Sequence, residues 1–192
     1  MIAIQNLFQT ITTIIDELRK ENPHLLIAID GRCASGKTTL AKQLQMKYCC
    51  NVIPMDHFFL RPMQRTQERL QAPGENIDHE RFLEEVLKPL RAGEELHYRS
   101  YRCQLQRLSE PITVSKNAIN IIEGSYSCHS LLWDFYDMRI FLDVDSKEQL
   151  RRIELRDGSE KLEIFKNRWI PMEEAYFSAF KISERCDYHF MT

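Results

Sequence analysis

At 192 residues and 22.8 kDa, with 43% hydrophobic and 28% charged residues, the chain is long enough to bury one full core and sits near the usual size of a single domain, expected here to span 1–192. Lys and Arg total 26 against 28 Asp and Glu, a formal net charge of −2, so bulk charge argues against a nucleic-acid or membrane surface and any anion site must be local. No apolar run approaches about 18 residues, and Met1-Ile2-Ala3-Ile4-Gln5-Asn6 lacks the basic start and cleavage pattern of a secretory signal, which leads us to expect a cytoplasmic protein.

Ile4, Leu7, Phe8, Ile11, Ile14, Ile15 and Leu18 recur at three- and four-residue steps and predict a packing helix over 3–20, ended by Asn22-Pro23. Leu25-Leu26-Ile27-Ala28-Ile29 is a short apolar run, as expected of a parallel strand covered on both faces. A Gly-containing loop and a helix from Lys37 to about Tyr48 follow. Strand-like runs return at 51–55, 118–122 and 138–144, with a last one at 188–191. Helices are expected at 79–91, at 130–136 and from Ser146, where Ser146-Lys147-Glu148-Gln149 has the form of a capping box. Pro171 suits the first turn of a final helix. This alternation predicts a doubly wound, mostly parallel α/β sheet. The polar connections 56–78 and 93–117 exceed the usual two to six residues and read as substrate-binding insertions. The six cysteines, Cys33, Cys49, Cys50, Cys103, Cys128 and Cys186, contain no C-x-x-C and read as reduced thiols.

Gly31-Arg32-Cys33-Ala34-Ser35-Gly36-Lys37-Thr38 matches G-x-x-x-x-G-K-[ST] between a predicted strand and a predicted helix, the context that a phosphate-binding loop requires. Such a loop turns backbone N–H groups into one concavity, and the helix N-terminus adds positive potential. ATP and Mg2+ are therefore the expected ligands, with Gly31, Ala34, Ser35, Gly36, Lys37, Thr38 and Thr39 around the phosphates. Lys37 is placed on the β- and γ-phosphates and the Thr38 hydroxyl on the metal. Phosphoryl transfer to an alcohol also needs a base and a further carboxylate on magnesium. Asp56 and Glu123 follow predicted strands, at the carboxyl ends where such sheets bind ligands, although each also fits a turn or cap. Asp143 and Asp145 read as local turn groups, and Asp30 as orienting the loop. Arg152 and Arg156 share a helix face beside Arg151, either as a solvated face paired with acids or as a lid, about 151–162, that closes on phosphate.

The order of these motifs resembles the uridine kinase group of P-loop nucleoside kinases across about residues 25–190. Met55-Asp56-His57-Phe58-Phe59 is similar to the family's D-x-F-[YF], which implies Asp56 as catalytic base. Glu75-Asn76-Ile77-Asp78-His79 resembles N-x-D-H-P, with Glu80 in place of the proline, implying that Asp78 binds ribose, although Asp78 also fits a simple helix N-cap. Ile122-Glu123-Gly124 resembles the magnesium-associated E-G, and residues 150–157 resemble the R-R-x-x-R-D lid, implying catalytic roles for Arg152 and Arg156 and nucleotide contact by Arg151. Tyr101 aligns with the family's base-recognising tyrosine, but the histidine position holds Gln106, which alters the hydrogen-bond pattern offered to uracil. Trp169-Ile170-Pro171 and Phe58-Phe59 resemble the related nicotinamide riboside kinases, and Phe59 or Trp169 is a candidate to stack on a base.

The expectation is thus a kinase acting on a nucleoside 5′-hydroxyl, as of uridine or cytidine. Nicotinamide riboside, pantothenate or a sugar is the alternative acceptor, and a non-catalytic nucleotide-binding regulator the alternative class. The partner expected is a small molecule, with neither nucleic acid nor membrane, and a homo-oligomer stays open.

Overall fold

A computed structural model describes residues 2–192, with side chains from Asn6 onward. Helix α1 (Ile2–Glu21) turns Leu7, Ile11 and Ile15 inward, while the Ile4 side chain lies outside the described part. Strand β1 (Leu25–Gly31) is buried along its length. Successive side chains point to opposite faces of a sheet. Leu25, Ile27 and Ile29 accordingly join α1 and α2 (Lys37–Tyr48) in one core, and Leu26 and Ala28 join a second core on the other face.

Beyond β2 (Asn51–Pro54) come a 3-10 turn over Met55–Phe58 and the short α3 (Gln67–Gln71). Next, α4 (His79–Phe82), a π turn over Leu83–Leu87 and α5 (Lys88–Arg91) run on as one helix, matching the expected 79–91. The 93–117 connection holds two nested antiparallel hairpins, β3 (Leu96–Tyr98) with β6 (Ile112–Val114) around β4 (Tyr101–Arg102) with β5 (Arg107–Leu108). The chain then forms β7 (Ile119–Glu123), β8 (Met138–Asp143), α6 (Ser146–Asp157), α7 (Ser159–Ile164), a π turn over Phe165–Trp169, α8 (Ile170–Phe180), α9 (Ile182–Arg185) and β9 (Tyr188–Met191).

Five strands pair in parallel in the order β2-β7-β1-β8-β9. Ile27 of β1 lies between Ile121 of β7 and Met138 of β8. Phe82, Val86, Tyr176, Phe177 and Ile182 cover the second face, so the sheet is sandwiched between helices. Each such fully buried aliphatic or aromatic side chain contributes about 1.5–3 kcal/mol relative to exposure. Because β7 sits between β1 and β2, a crevice opens beyond the carboxyl ends of these strands, where open α/β sheets take ligands. Among the described residues, no helix is long and apolar enough to cross a membrane.

Three local expectations change. The helix expected at 130–136 is only a 3-10 turn over Trp133–Phe135. Arg139 takes the Trp133 and Tyr136 carbonyls, at 2.9 and 2.7 Å, and so few residues cannot offset the cost of helix nucleation. The cap of α6 is Asp145, which accepts from Lys147 N (2.9 Å) and Glu148 N (3.4 Å), rather than Ser146. Pro171 does lie in the first turn of α8, but α8 continues α7 through the π turn instead of starting afresh. The ring removes one N–H from the ladder, and the helix widens just before it.

Candidate active site

The loop after β1 is shaped from behind. Gly31 has φ +137°, and a Cβ there would stand 2.0 Å from the Leu142 carbonyl oxygen, so only glycine lets the chain leave the sheet along this path. Asp30 is fully buried and accepts from Gly31 N (2.7 Å), Cys128 N (2.8 Å) and the Tyr176 hydroxyl (2.8 Å). Burial raises its pKa from 3.8 to about 6, against the lowering effect of those bonds and of Lys37. Asp30 therefore orients the loop, as expected. Asp143 combines the anticipated turn bond, from Val144 N at 2.7 Å, with an ion pair to Arg32, whose Nε also meets Glu174 Oε1 at 2.6 Å.

Ala34 (φ +61°) and Gly36 (φ +93°) take left-handed conformations that curl the segment onto the N-terminus of α2. The Ser35 hydroxyl is buried without a hydrogen-bond partner, and Lys37 Nζ donates to the loop's own carbonyls at Gly31 (2.6 Å) and Arg32 (2.8 Å). A curled run of N–H groups, a helix terminus, a spare hydroxyl and a lysine fit an incoming phosphate, which would take Lys37 from those carbonyls.

The two strand-end acids meet here because β2 lies beside β7, with Pro54 opposite Glu123. The Thr38 hydroxyl lies 3.1 and 3.2 Å from the Glu123 carboxylate oxygens, an all-oxygen pair that suits Mg2+. Burial pushes the Glu123 carboxyl up, the Thr38 bond and Lys37 lower it, and neighbouring Asp56 raises it further. Asp56 opens onto the same cleft and makes no hydrogen bond among the described residues. The cleft walls push its carboxyl above the ordinary value, while Lys37 and Arg156 pull it back.

The cleft has a volume of about 1000 Å³, at the upper end of small-molecule sites, with room for a nucleotide and a second small molecule. Its wall includes Ala34, Ser35, Gly36, Lys37, Thr38 and Thr39 of the loop, together with Asp56, Phe59, Glu123, Arg152 and Arg156. Arg152 Nη1 donates to the Ala34 carbonyl at 3.2 Å, and its Nε pairs with Glu148 Oε1 at 2.8 Å. Trp169 also lines the cleft, its ring 6.4 Å from that of Phe59.

Five expected residues lie outside this wall. Gly31 sits behind the loop, packed on β8. Arg151 is exposed and gripped by Glu148 through two 2.7 Å bonds, so for it the solvated-face reading describes the geometry. Asp78 is buried, caps α4 by accepting from Arg81 N at 3.3 Å, and lies 3.4 Å from Arg61 Nη2. Tyr101 is buried behind Arg65, whose guanidinium lies 5.9 Å from its ring centroid. Gln106 is exposed in the β4–β5 turn at φ +48°.

Other wall residues carry no local sequence signal. Glu173 of α8 accepts from Cys33 N (2.9 Å) and the Ser125 hydroxyl (2.6 Å), tying the loop to a helix 140 positions away in the chain. Arg65 and Arg168 add two guanidiniums to the cleft, the latter 4.7 Å from the Trp169 ring centroid. Only the fold could assign these side chains to one surface.

The chain is similar to known proteins in sequence and in fold. The chain is 29% identical over 147 residues to uridine-cytidine kinase B of Dictyostelium discoideum, covering 71% of this chain but 59% of that protein, so it spans about three-fifths of this relative's length. A protein described as a possible uridine kinase from Bacillus stearothermophilus superposes with a TM-score of 0.73 at 21% identity, over 97% of this chain and 98% of that one. YFH7 from Saccharomyces cerevisiae, described as a candidate P-loop-containing kinase with a circular permutation, gives 0.69 at 12% identity over 98% of both chains. These two likenesses identify the fold as that of P-loop kinases. Residues 26–162, well over half of the chain, match the model of one family, and the chain belongs to it: the Phosphoribulokinase / Uridine kinase family.

Proposed function

We propose that the protein is an ATP- and Mg2+-dependent kinase that phosphorylates the 5′-hydroxyl of a nucleoside, with Asp56 as the base. The observation that carries this reading is Asp56 itself, an unpartnered carboxylate facing the cleft beside the Thr38–Glu123 pair and the phosphate loop. When bound, ATP supplies the γ-phosphoryl group and Mg2+ neutralises its oxygens. Lys37 then holds the phosphates as a point charge, and Thr38 and Glu123 hold the metal. Asp56 would accept the proton of the acceptor hydroxyl as that oxygen bonds to the γ-phosphorus, while the bond from that phosphorus to the β,γ-bridging oxygen breaks and ADP leaves. Arg152 and Arg156, on the lid 151–162, stabilise the transferring group and exclude water.

The chain is read as one domain whose insertions 56–78 and 93–117 form the acceptor side. Phe59 and Trp169 line the cleft, and one of them would stack on a planar base, whereas Asp78, Tyr101 and Gln106 would have to move to touch an acceptor. The aromatic pair in the cleft also favours a second reading, with nicotinamide riboside as acceptor. ADP release is the test, measured with uridine, cytidine, nicotinamide riboside, pantothenate and sugars. Turnover only with non-nucleosides would reject the nucleoside assignment, and none with any alcohol would favour a nucleotide-binding regulator.

A further inference from the structure

Away from the loop and its acids, one cluster of potential ligands contains two buried imidazole nitrogens without hydrogen-bond partners. We propose that Glu75, His79 and His129 form a binding site for a divalent transition metal of the zinc type, clipping the 56–78 connection to the turn that follows β7.

The three residues come from separate parts of the fold. Glu75 ends the turn after α3, His79 opens α4 and His129 closes the turn beyond β7. His79 Nδ1 lies 3.7 Å from Glu75 Oε2, and His129 Nε2 lies 3.7 Å from Glu75 Oε1. One donor atom from each residue falls within 4.8 Å of the others. Zinc ligands at about 2.0–2.2 Å in a tetrahedron stand roughly 3.3–3.5 Å apart, so small side-chain rotations close the set.

A second observation is independent of these spacings. The two imidazoles are only 4% and 3% exposed, and His79 Nδ1 and His129 Nε2 have no hydrogen-bond partner. Buried polar atoms are rarely left so, and an unexplained pair aimed at one carboxylate calls for a missing partner. The rings stack at 4.5 Å, and His129 also packs near Tyr176 and Phe180.

The surroundings fit the assignment. Glu80 Oε1 lies 3.6 Å from His79 Nε2, close enough that a small side-chain rotation would make the carboxylate–histidine hydrogen bond that orients metal ligands. Arg69 reaches both Glu75 (3.1 Å) and Glu80 (2.7 Å), and these carboxylates offset its charge beside an added cation. Metal at His129 Nε2 would put the ring proton on Nδ1, which then no longer accepts from Leu131 N, at the cost of that single long 3.4 Å contact. Gly74, at φ +83°, lets the chain lie against His129, since a Cβ there would stand 2.9 Å from the ring. Two nitrogens and one carboxylate select zinc, cobalt or nickel over magnesium. The consequence reaches the cleft, because Asn76, next to Glu75, lines its wall.

The test uses the full chain stripped with chelator and titrated with Co2+ in excess Mg2+, followed by visible absorption, with Zn2+-dependent thermal shift as a second readout. One equivalent should bind and raise the melting temperature. His129→Asn and Glu75→Gln should each weaken binding at least tenfold while melting, without metal, near the parent temperature. Should His129→Asn fail to fold, His79→Asn serves in its place. Retained affinity in these variants, or no binding by the parent, would overturn the site in favour of a neutral stacked pair. So would a thiolate-to-cobalt band abolished by Cys128→Ser, since Cys128 and Cys186 lie with their sulfurs 4.0 Å apart.

Discussion

Replacing Gly31 by alanine tests the physical origin of the phosphate loop most directly. The added methyl would begin 2.0 Å from the Leu142 carbonyl oxygen, whereas ordinary contact begins near 3.4 Å. Strands β1 and β8 must then part by roughly 1.4 Å across a ladder normally spaced about 4.8 Å. That movement breaks the 3.2 Å bond from Arg32 N to Leu142 O and leaves a buried carbonyl unpaired, a cost of about 1–3 kcal/mol. The φ of +137° adds about 1–3 kcal/mol for a residue bearing a Cβ. Together the loss is about 2–6 kcal/mol, out of the roughly 5–15 kcal/mol typical of a folded domain. Urea unfolding of the two proteins, side by side, reads it. Gly36→Ala is the control: its Cβ meets nothing within 4 Å, so only the strain of φ +93° remains. Because Gly36 lines the cleft, that methyl should depress ATP affinity more than stability. If Gly31→Ala unfolds within 1 kcal/mol of the parent, or Gly36→Ala is the more damaging to stability, the close approach to β8 is not what requires glycine.

Asp56→Asn should lower kcat by about 10²–10⁴-fold with ATP affinity retained, the range expected for loss of a general base. Since the surrounding cleft walls partly desolvate Asp56 and raise its pKa although the residue is open to solvent, the acid limb of the parent pH–rate profile should lie above an ordinary carboxylate, and Arg156→Gln, which removes a lowering charge, should move it higher still. Asp30 has a folded pKa of about 6 against 3.8, so the folded state binds the extra proton and stability falls as pH rises through that window. The span corresponds to about 3 kcal/mol. Denaturation at pH 4, 5, 6 and 7 should show a slope of that sign in the parent that is smaller in Asp30→Asn, where the raised Glu123 and Asp56 carboxyls still contribute. Trp169→Ala should raise the acceptor KM roughly 5- to 150-fold if a base stacks there, from about 1–3 kcal/mol per stacked base; an unchanged KM for every nucleoside assigns the ring to packing.

Much of the architecture is written locally. Leu25 to Ile29 must be a doubly covered strand because no polar side chain interrupts the run. Gly31 to Thr38 then carries its own turn and its own helix start, so loop, strand and helix can be read together before any contact is known. The strand-end positions of Asp56 and Glu123 follow from the same alternation. What the chain could not spell out is whatever depends on which strand lies beside which. That β7 inserts between β1 and β2 is what brings Glu123 to Thr38 and faces Asp56 toward both. Glu173 reaches Cys33 only because α8 packs across the sheet, and Trp169 meets Phe59 for the same reason. Conversely, Asp78, Tyr101 and Gln106 sit in insertions whose paths are set by capping and hairpin pairing, and these carry their side chains away from the cleft wall. Hydrophobic periodicity and backbone torsion preferences act over a few residues and are legible in order along the chain. Glu75 and His79 are neighbours four positions apart, but their meeting with His129, at least fifty positions further along, arises from packing between distant segments, and only the tertiary structure decided it.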